Sequence, residues 1–434
     1  MSKFGTSQSV KRLEDSRLVT GHGRYVDDIT PDGALHGYVF RSPVAHGMIT
    51  TLDVSQARAA PGVHAVYTAA DLDAAGVANK MKFSTVKNRD GSMGAAPQRP
   101  ILVTDRVRFV GDTIAFIVAD TVAQAKDAAE LIEFDFDELP SKTDVVAGGQ
   151  VVHEEAPDNV AYDFELGDDD AVQEALATAK HRIKLTIDDN RVIVNSIEPR
   201  GCFAEMVGER VHISVNGQGV WGTKTDLSKF FGVDPEMIHV TTPDVGGGFG
   251  MKGMGYPEHF LVCFAAKQLG QPVRWMAERT ESMLSDNAGR DLVTTTEMGF
   301  DEDHRLVAYR CESWSNMGAY NSQFGQAIQS SLFSRVLAGT YDIQNTYFRN
   351  HGIYTNTTQV DAYRGAGRPE AIFCLERTID FAAREMGVDP LDLRRKNFIK
   401  PEQFPYKTAT GELYDVGDFH RLIDSAESKA DIKG

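Results

Sequence analysis

Along the first 140 residues, apolar and polar positions trade places in short bursts. Leu35-His36-Gly37-Tyr38-Val39-Phe40-Arg41 and Gly62-Val63-His64-Ala65-Val66-Tyr67 each predict a strand, and Thr113-Ile114-Ala115-Phe116-Ile117-Val118 predicts a buried one. Thr121 is placed to cap a helix over 121–131, whose Ala125, Ala128 and Ala129 recur at helical spacing. Ile132-Glu133-Phe134-Asp135-Phe136 alternates apolar with acidic side chains, as a half-exposed strand does. Periodicity then weakens. Residues 139–170 are rich in Asp, Glu, Gly and Pro, which predicts a connector between domains.

Beyond it, 181–188, 211–216 and 237–241 predict strands. Helices are expected over 225–231 and 258–269, the latter with Phe260, Leu261, Phe264 and Ala265 on one face. An amphipathic helix over 370–386 would bury Ile372, Leu375, Ile379, Ala382 and Met386, with Gly387 as its stop. Asp389 and Pro390 then begin another helix as cap and first residue.

Composition narrows the function. A chain of 434 residues with 42% hydrophobic content has material for more than one core, and a formal charge of −17 leaves no basic surplus for nucleic acid. Cys202, Cys263, Cys311 and Cys374 lie too far apart for a cluster or zinc site, and read as small apolar core residues. The N-terminus MSKFGTSQSVKRLEDS lacks the apolar stretch of a signal peptide, and no run of about 18 apolar residues suggests a membrane span. A cytoplasmic location is expected.

Three glycine-bearing segments carry the candidate chemistry. In Thr242-Pro243-Asp244-Val245-Gly246-Gly247-Gly248-Phe249-Gly250-Met251-Lys252, four glycines surround one phenylalanine and let backbone N–H groups approach an oxygen-rich ligand. Neither nucleotide fingerprint fits: Met251 stands where a dinucleotide loop needs glycine, and Gly253 follows Lys252 where a P-loop needs Ser or Thr. In Asp361-Ala362-Tyr363-Arg364-Gly365-Ala366-Gly367-Arg368-Pro369-Glu370, two arginines sit among glycines before a helix, an arrangement suited to an anion. In Val215-Asn216-Gly217-Gln218-Gly219, a buried glutamine could offer its amide to an oxygen ligand. Each segment alone also reads as an ordinary turn.

Taken in this order, the three segments resemble the large, molybdopterin-binding subunit of the molybdenum hydroxylases, the xanthine dehydrogenase and aldehyde oxidase family. The likeness extends to Gly21-His22-Gly23-Arg24-Tyr25-Val26-Asp27-Asp28, Arg41-Ser42-Pro43-Val44-Ala45-His46, Val107-Arg108-Phe109-Val110-Gly111-Asp112, Asn195-Ser196-Ile197-Glu198-Pro199-Arg200 and Pro390-Leu391-Asp392-Leu393-Arg394-Arg395-Lys396-Asn397. It implies a mixed α/β (α+β) fold, with an α/β hammerhead domain over 1–140, a connector over 141–170 and the N-terminal part of the molybdopterin-binding domain over 171–434. Asp112 departs from the family's more usual glutamate.

Carried over, the resemblance assigns catalytic roles to Gln218, Phe249 and Arg364. Gln218 would hydrogen-bond the apical oxo group of molybdenum. The cofactor would be held by Gly217, Gln218, Gly219, Gly247, Gly248, Phe249, Gly250, Arg364, Gly365 and Ala366. The metal's sulfur ligands would come from the pterin dithiolene, with no side chain of this chain bound to it. The cofactor is expected in its cytosine dinucleotide form.

The implied reaction is hydroxylation of an aldehyde or N-heterocyclic aromatic carbon with oxygen from water, a glutamate serving as general base. Electrons would pass to Fe–S clusters and FAD on partner subunits. The family's general base lies in a C-terminal half not present here. A second polypeptide supplying that half is therefore expected, or else this is a fragment or a non-catalytic cofactor-binding scaffold. Glu198, Glu258 and Glu370 read better as salt-bridged or solvated carboxylates than as that base. Gly365 stands where carbon monoxide-oxidising members carry cysteine, and Gly253 where xanthine-specific members carry glutamate.

Overall fold

The computed structural model describes residues 9–430. The first eight residues, which belong to the N-terminal reading above, and residues 431–434 lie outside the described residues.

Two large sheets organise the chain. The first has seven strands in the order Ile238–Thr241, Arg210–Val215, Gly201–Val207, Val273–Met276, Leu35–Arg41, Thr113–Ala119 and Val63–Tyr67. All seven residues of Thr113–Ala119 are buried, because the strand lies inside the sheet with neighbours on both sides and both faces covered. Leu35 pairs in parallel with Val273, so the sheet joins the N-terminal segment to strands far downstream. A three-stranded sheet of Arg106–Val107, Gly47–Asp53 and Glu133–Glu138 stands beside it.

Helix Pro257–Leu269 packs on the first sheet. The sequence predicts one apolar face, but Pro257 to Ala266 are buried all round, as its nearly unbroken apolar run requires. Helix Val122–Ala129 begins at Thr121, whose hydroxyl accepts the Gln124 N–H.

The second large sheet runs Val160–Gly167, Thr346–Tyr354, Leu306–Gly318, Leu292–Phe300, His181–Asp189. Val160–Gly167 corrects the expectation of a connector over 141–170. It is an edge strand, antiparallel to Thr346–Tyr354, with Ala161 and Tyr162 fully buried. Its Asp163 is half-buried and Glu165 exposed, and its burial does not follow the strict alternation that marks a strand in sequence.

Helix Arg368–Met386 covers this sheet and ends at Gly387, whose φ of 69° is the left-handed conformation expected of a C-terminal stop. Its buried stripe is Ala371, Cys374, Leu375, Thr378, Ile379, Ala382 and Ala383. Ile372 does not join the stripe and is 44% exposed, since it falls one position off the face that Ala371 and Leu375 define. All four cysteines are free and buried. Among the described residues, no helix is long and apolar enough to cross a membrane.

Candidate functional site

Topology brings two of the three glycine segments together. Arg210–Val215 and Ile238–Thr241 are parallel neighbours, with Ser214 opposite Thr241, so both chains leave the sheet at the same edge. The carboxyl ends of parallel strands are where open sheets form ligand crevices. The third segment arrives through a parallel bridge of Ala288 with Val360 and runs into helix Arg368–Met386.

Hydrogen bonds then fasten the loops to one another. The Gln218 backbone N–H donates to the Lys252 carbonyl at 3.0 Å. The Gln218 side-chain Oε1 accepts the Gly250 N–H at 2.7 Å. From the third loop, the Arg364 N–H donates to the Phe249 carbonyl at 2.8 Å, and its guanidinium lies 5.8 Å from the Phe249 ring centre.

The closeness of these approaches explains two glycines. A Cβ on Gly248 would come within 2.5 Å of the Gln218 amide, and one on Gly250, where φ is 102°, within 2.6 Å of the Ala362 carbonyl oxygen. Phe249 and Ala366 are not glycines yet have φ of 51° and 48°. Such a backbone costs about 1–3 kcal/mol per residue and persists only where the surroundings impose it.

The same arrangement leaves donors unused. Oε1 is occupied, so the Gln218 amide retains its Nε2 hydrogens. The N–H groups of Gly247, Gly248, Phe249 and Gly365 have no hydrogen-bond partner among the described residues. Arg364 forms no ion pair among them. A concentration of free donors without acceptors suits an anionic, oxygen-rich ligand.

Gln218 corrects the expectation of a buried glutamine: it is exposed, as are Gly219, Phe249, Arg364 and Gly365, because the loops form an open face of this chain. Gly217, Gly247, Gly248, Gly250 and Ala366 are half-buried behind them. Exposed apolar side chains border this face, Ile197 at 92% and Trp221 at 75%. Trp221 opens a helix that starts one turn before the predicted 225–231, as Trp221–Phe231.

Buried charges hold the loops from behind. Glu198 Oε2 accepts from Gly246 N at 2.7 Å and from Lys252 Nζ at 2.9 Å. Burial pulls the Lys252 ammonium below its ordinary range, while Glu198 opposes that shift. Arg200, 1% exposed, pairs with Glu258 at 2.8 Å and Asp286 at 2.5 Å and stacks 3.7 Å from the centre of Tyr256. Tyr256 in turn donates its hydroxyl proton to the Met251 carbonyl in the glycine loop.

Burial would raise the Glu258 carboxyl, but Arg200 and Arg41 outweigh it and hold that group well below the usual range. Glu370 pairs with Arg290 at 2.9 Å and is raised, burial prevailing over its partner.

Sequence reasoning missed Arg290. With φ of 61°, it donates to the Tyr363 carbonyl at 3.2 Å and the Arg364 carbonyl at 2.9 Å, fixing the arginine loop. Nothing local marks it, since its partners lie more than 70 positions downstream.

Comparison with known proteins fits this architecture. Residues 20–140 match the family described as "Aldehyde oxidase and xanthine dehydrogenase, a/b hammerhead domain", and residues 152–398 match "Molybdopterin cofactor-binding domain". The chain is 33% identical to the nicotine 6-hydroxylase large subunit of Paenarthrobacter nicotinovorans, over 97% of this chain and 52% of that one. It is similar to the solved structure of a Cu,Mo-CO dehydrogenase, with a TM-score of 0.89 and 31% identity over 98% of this chain and 54% of that one. The chain thus spans about half the length of both. It is also 26% identical to the nicotinate dehydrogenase large molybdopterin subunit of Eubacterium barkeri, covering 98% of this chain and 96% of that one.

Proposed function

This chain belongs to the molybdenum hydroxylase large-subunit family, and on that premise we propose that it forms one wall of a molybdopterin site. That site hydroxylates an aldehyde or an N-heterocyclic aromatic carbon with oxygen drawn from water. The observation that carries the reading is the joining of the three loops, with the Gln218 amide fixed through Oε1 and its Nε2 hydrogens unspent.

The residues present fit the cofactor. Gly247, Gly248, Phe249 and Gly365 offer backbone N–H groups, and Arg364 offers an unpaired guanidinium, to its oxygen-rich parts. When bound, the molybdenum–pterin group supplies the two-electron oxidation and the oxygen transfer. Gln218 donates a hydrogen bond that orients an oxygen ligand. Phe249 shields one side of the site and Arg364 closes the loop over it.

Each of the three acidic candidates is paired with a cation: Glu198 with Lys252, Glu258 with Arg200 and Arg41, and Glu370 with Arg290. We place the general base outside residues 1–434, in a C-terminal half that either continues this chain or is supplied by assembly with a second polypeptide. The similar extent of the Eubacterium barkeri subunit supports that assembly. Fe–S and FAD subunits receive the electrons, and the working location is the cytoplasm.

An N-heterocycle is favoured as substrate. Two relatives named above act, by their names, on nicotine and nicotinate. Gly365 argues against carbon monoxide despite the structural likeness to a CO dehydrogenase. A Cβ there would meet Pro369 Cγ at 2.2 Å, so this loop has no room for a cysteine.

The test is to co-purify the chain with its genomic neighbours and to measure molybdenum, and the nucleotide released by acid, per chain. Close to one molybdenum and one CMP per chain is expected. Metal-free, nucleotide-free material from a host that loads a related enzyme would refute the reading.

A further inference from the structure

Arg99 lies where the hammerhead segment meets the rest of the chain and is 3% exposed. One of its nitrogens, Nη1, donates to Gln359 Oε1 at 2.8 Å. Nε and Nη2 have no hydrogen-bond partner, and no carboxylate among the described residues comes within ion-pair distance.

The neighbouring acids are already engaged. Asp112 accepts from Arg108 N and the Tyr320 hydroxyl, and Glu258 is held by Arg41 and Arg200. Burial consequently pulls the Arg99 guanidinium below its ordinary value. A buried, unpaired cation is strongly disfavoured, a demand that an anion meets better than water.

Arg99 faces a cavity of about 20 Å³, which it lines with Asn287, Ser322 and Gln359. Space for a water begins at about 10–15 Å³, so the cavity accepts a small polar head but no ring. The cavity shares Met81, Lys82, Asp226 and Phe260 with an outer chamber of about 260 Å³. That chamber adds Phe83 and Phe230 as apolar wall, and Lys80 and Lys229 as further cations. Among the described residues, Asp226 is the one acid lining the two chambers, with Lys82 Nζ at 4.0 Å, so the lining stays positive overall. A cavity of about 150 Å³ is enough for a benzene ring.

We propose that this two-chambered pocket binds a small organic monocarboxylate, its carboxylate paired with the Arg99 guanidinium at the inner cavity and its apolar body against Phe83, Phe230 and Phe260. A guanidinium and a carboxylate form charge-assisted hydrogen bonds roughly twice as strong as neutral ones. Apolar walls at the mouth favour an aromatic or aliphatic body over an inorganic anion.

Benzoate and its neutral isostere benzamide are the probes, titrated calorimetrically into the enzyme containing the full chain. Benzoate should bind at least about tenfold more tightly than benzamide, the worth of one charge-assisted contact. Arg99→Met should remove that preference. Should Arg99→Met fail to fold, the benzoate–benzamide comparison on the unaltered enzyme, with Lys229→Met expected to weaken benzoate alone, decides the matter.

Equal affinity for the two probes, or no binding of either, overturns the proposal. So does a structure of the assembled enzyme with a partner's carboxylate, or only an inorganic anion that benzoate does not displace, seated on Arg99. Binding is read without turnover, so the outcome is independent of the molybdenum reading.

Discussion

The backbone N–H of Arg364 donates to the carbonyl oxygen of Phe249 at 2.8 Å, joining two loops whose residues stand 115 positions apart in sequence. That bond holds Phe249 in its left-handed conformation and aligns the arginine loop with the glycine loop. The proposed site depends on this joint, and so do the expectations that follow.

Gln218→Ala should lower turnover of the assembled enzyme by roughly 10²–10³-fold, the usual loss when one preorganised donor is removed. Gln218→Glu retains the acceptor for Gly250 N–H but loses the donor, and should be as slow. Steady-state kinetics checks both, with molybdenum content measured alongside. Full activity in either variant removes Gln218 from the site.

Gly365→Cys should not confer carbon monoxide oxidation. It should destabilise the chain by about 1–3 kcal/mol, because φ is 102° and the added Cβ would collide with Pro369. Thermal denaturation beside a carbon monoxide assay reads both outcomes.

Stability should fall as pH drops below about 6.5. Burial, assisted by Arg108, pulls the His153 imidazole down to about 3, and burial with Arg200 pulls His259 down to about 4. Both rings are neutral in the folded chain, whereas the unfolded chain takes up their protons near 6.5. Their contribution is therefore complete above that value and shrinks as pH falls toward the folded values. At pH 5 the loss is about 2 kcal/mol for each ring. Urea midpoints at pH 7.5 and pH 5 test this, and His153→Gln should flatten the dependence.

Arg290→Ala should cost about 3–5 kcal/mol, since it strands buried Glu370 and releases the Tyr363 and Arg364 carbonyls. Chemical denaturation measures the loss. A companion assay should find less cofactor retained on gel filtration than in the unaltered enzyme.

Trp221, 75% exposed here, should become buried on assembly with the proposed C-terminal half. A blue shift of tryptophan emission on assembly, absent in Trp221→Leu, is the expected signal.

Short local patterns carried much of this structure in the sequence. Thr121, Asp389 and Gly387 act through neighbours within four positions, and each does what its residue type predicts. The order of the three glycine segments carries the family resemblance within the sequence itself. Other features depend on distant partners and leave no local trace. Arg290 acts on carbonyls more than 70 positions away, and Tyr162 is buried because Thr346–Tyr354 lies beside it. The sequence suggests a buried Gln218, but its surroundings are backbone on one side and open space on the other.

The insertion of Val273–Met276 between Gly201–Val207 and Leu35–Arg41 has a practical result for anyone dividing this molecule. Severing the chain near residue 140 would strip Leu35 of its parallel neighbour and bare an unsatisfied ribbon of backbone donors and acceptors. Such raw edges recruit other copies. Either piece expressed by itself should precipitate, and the two should regain solubility when produced together.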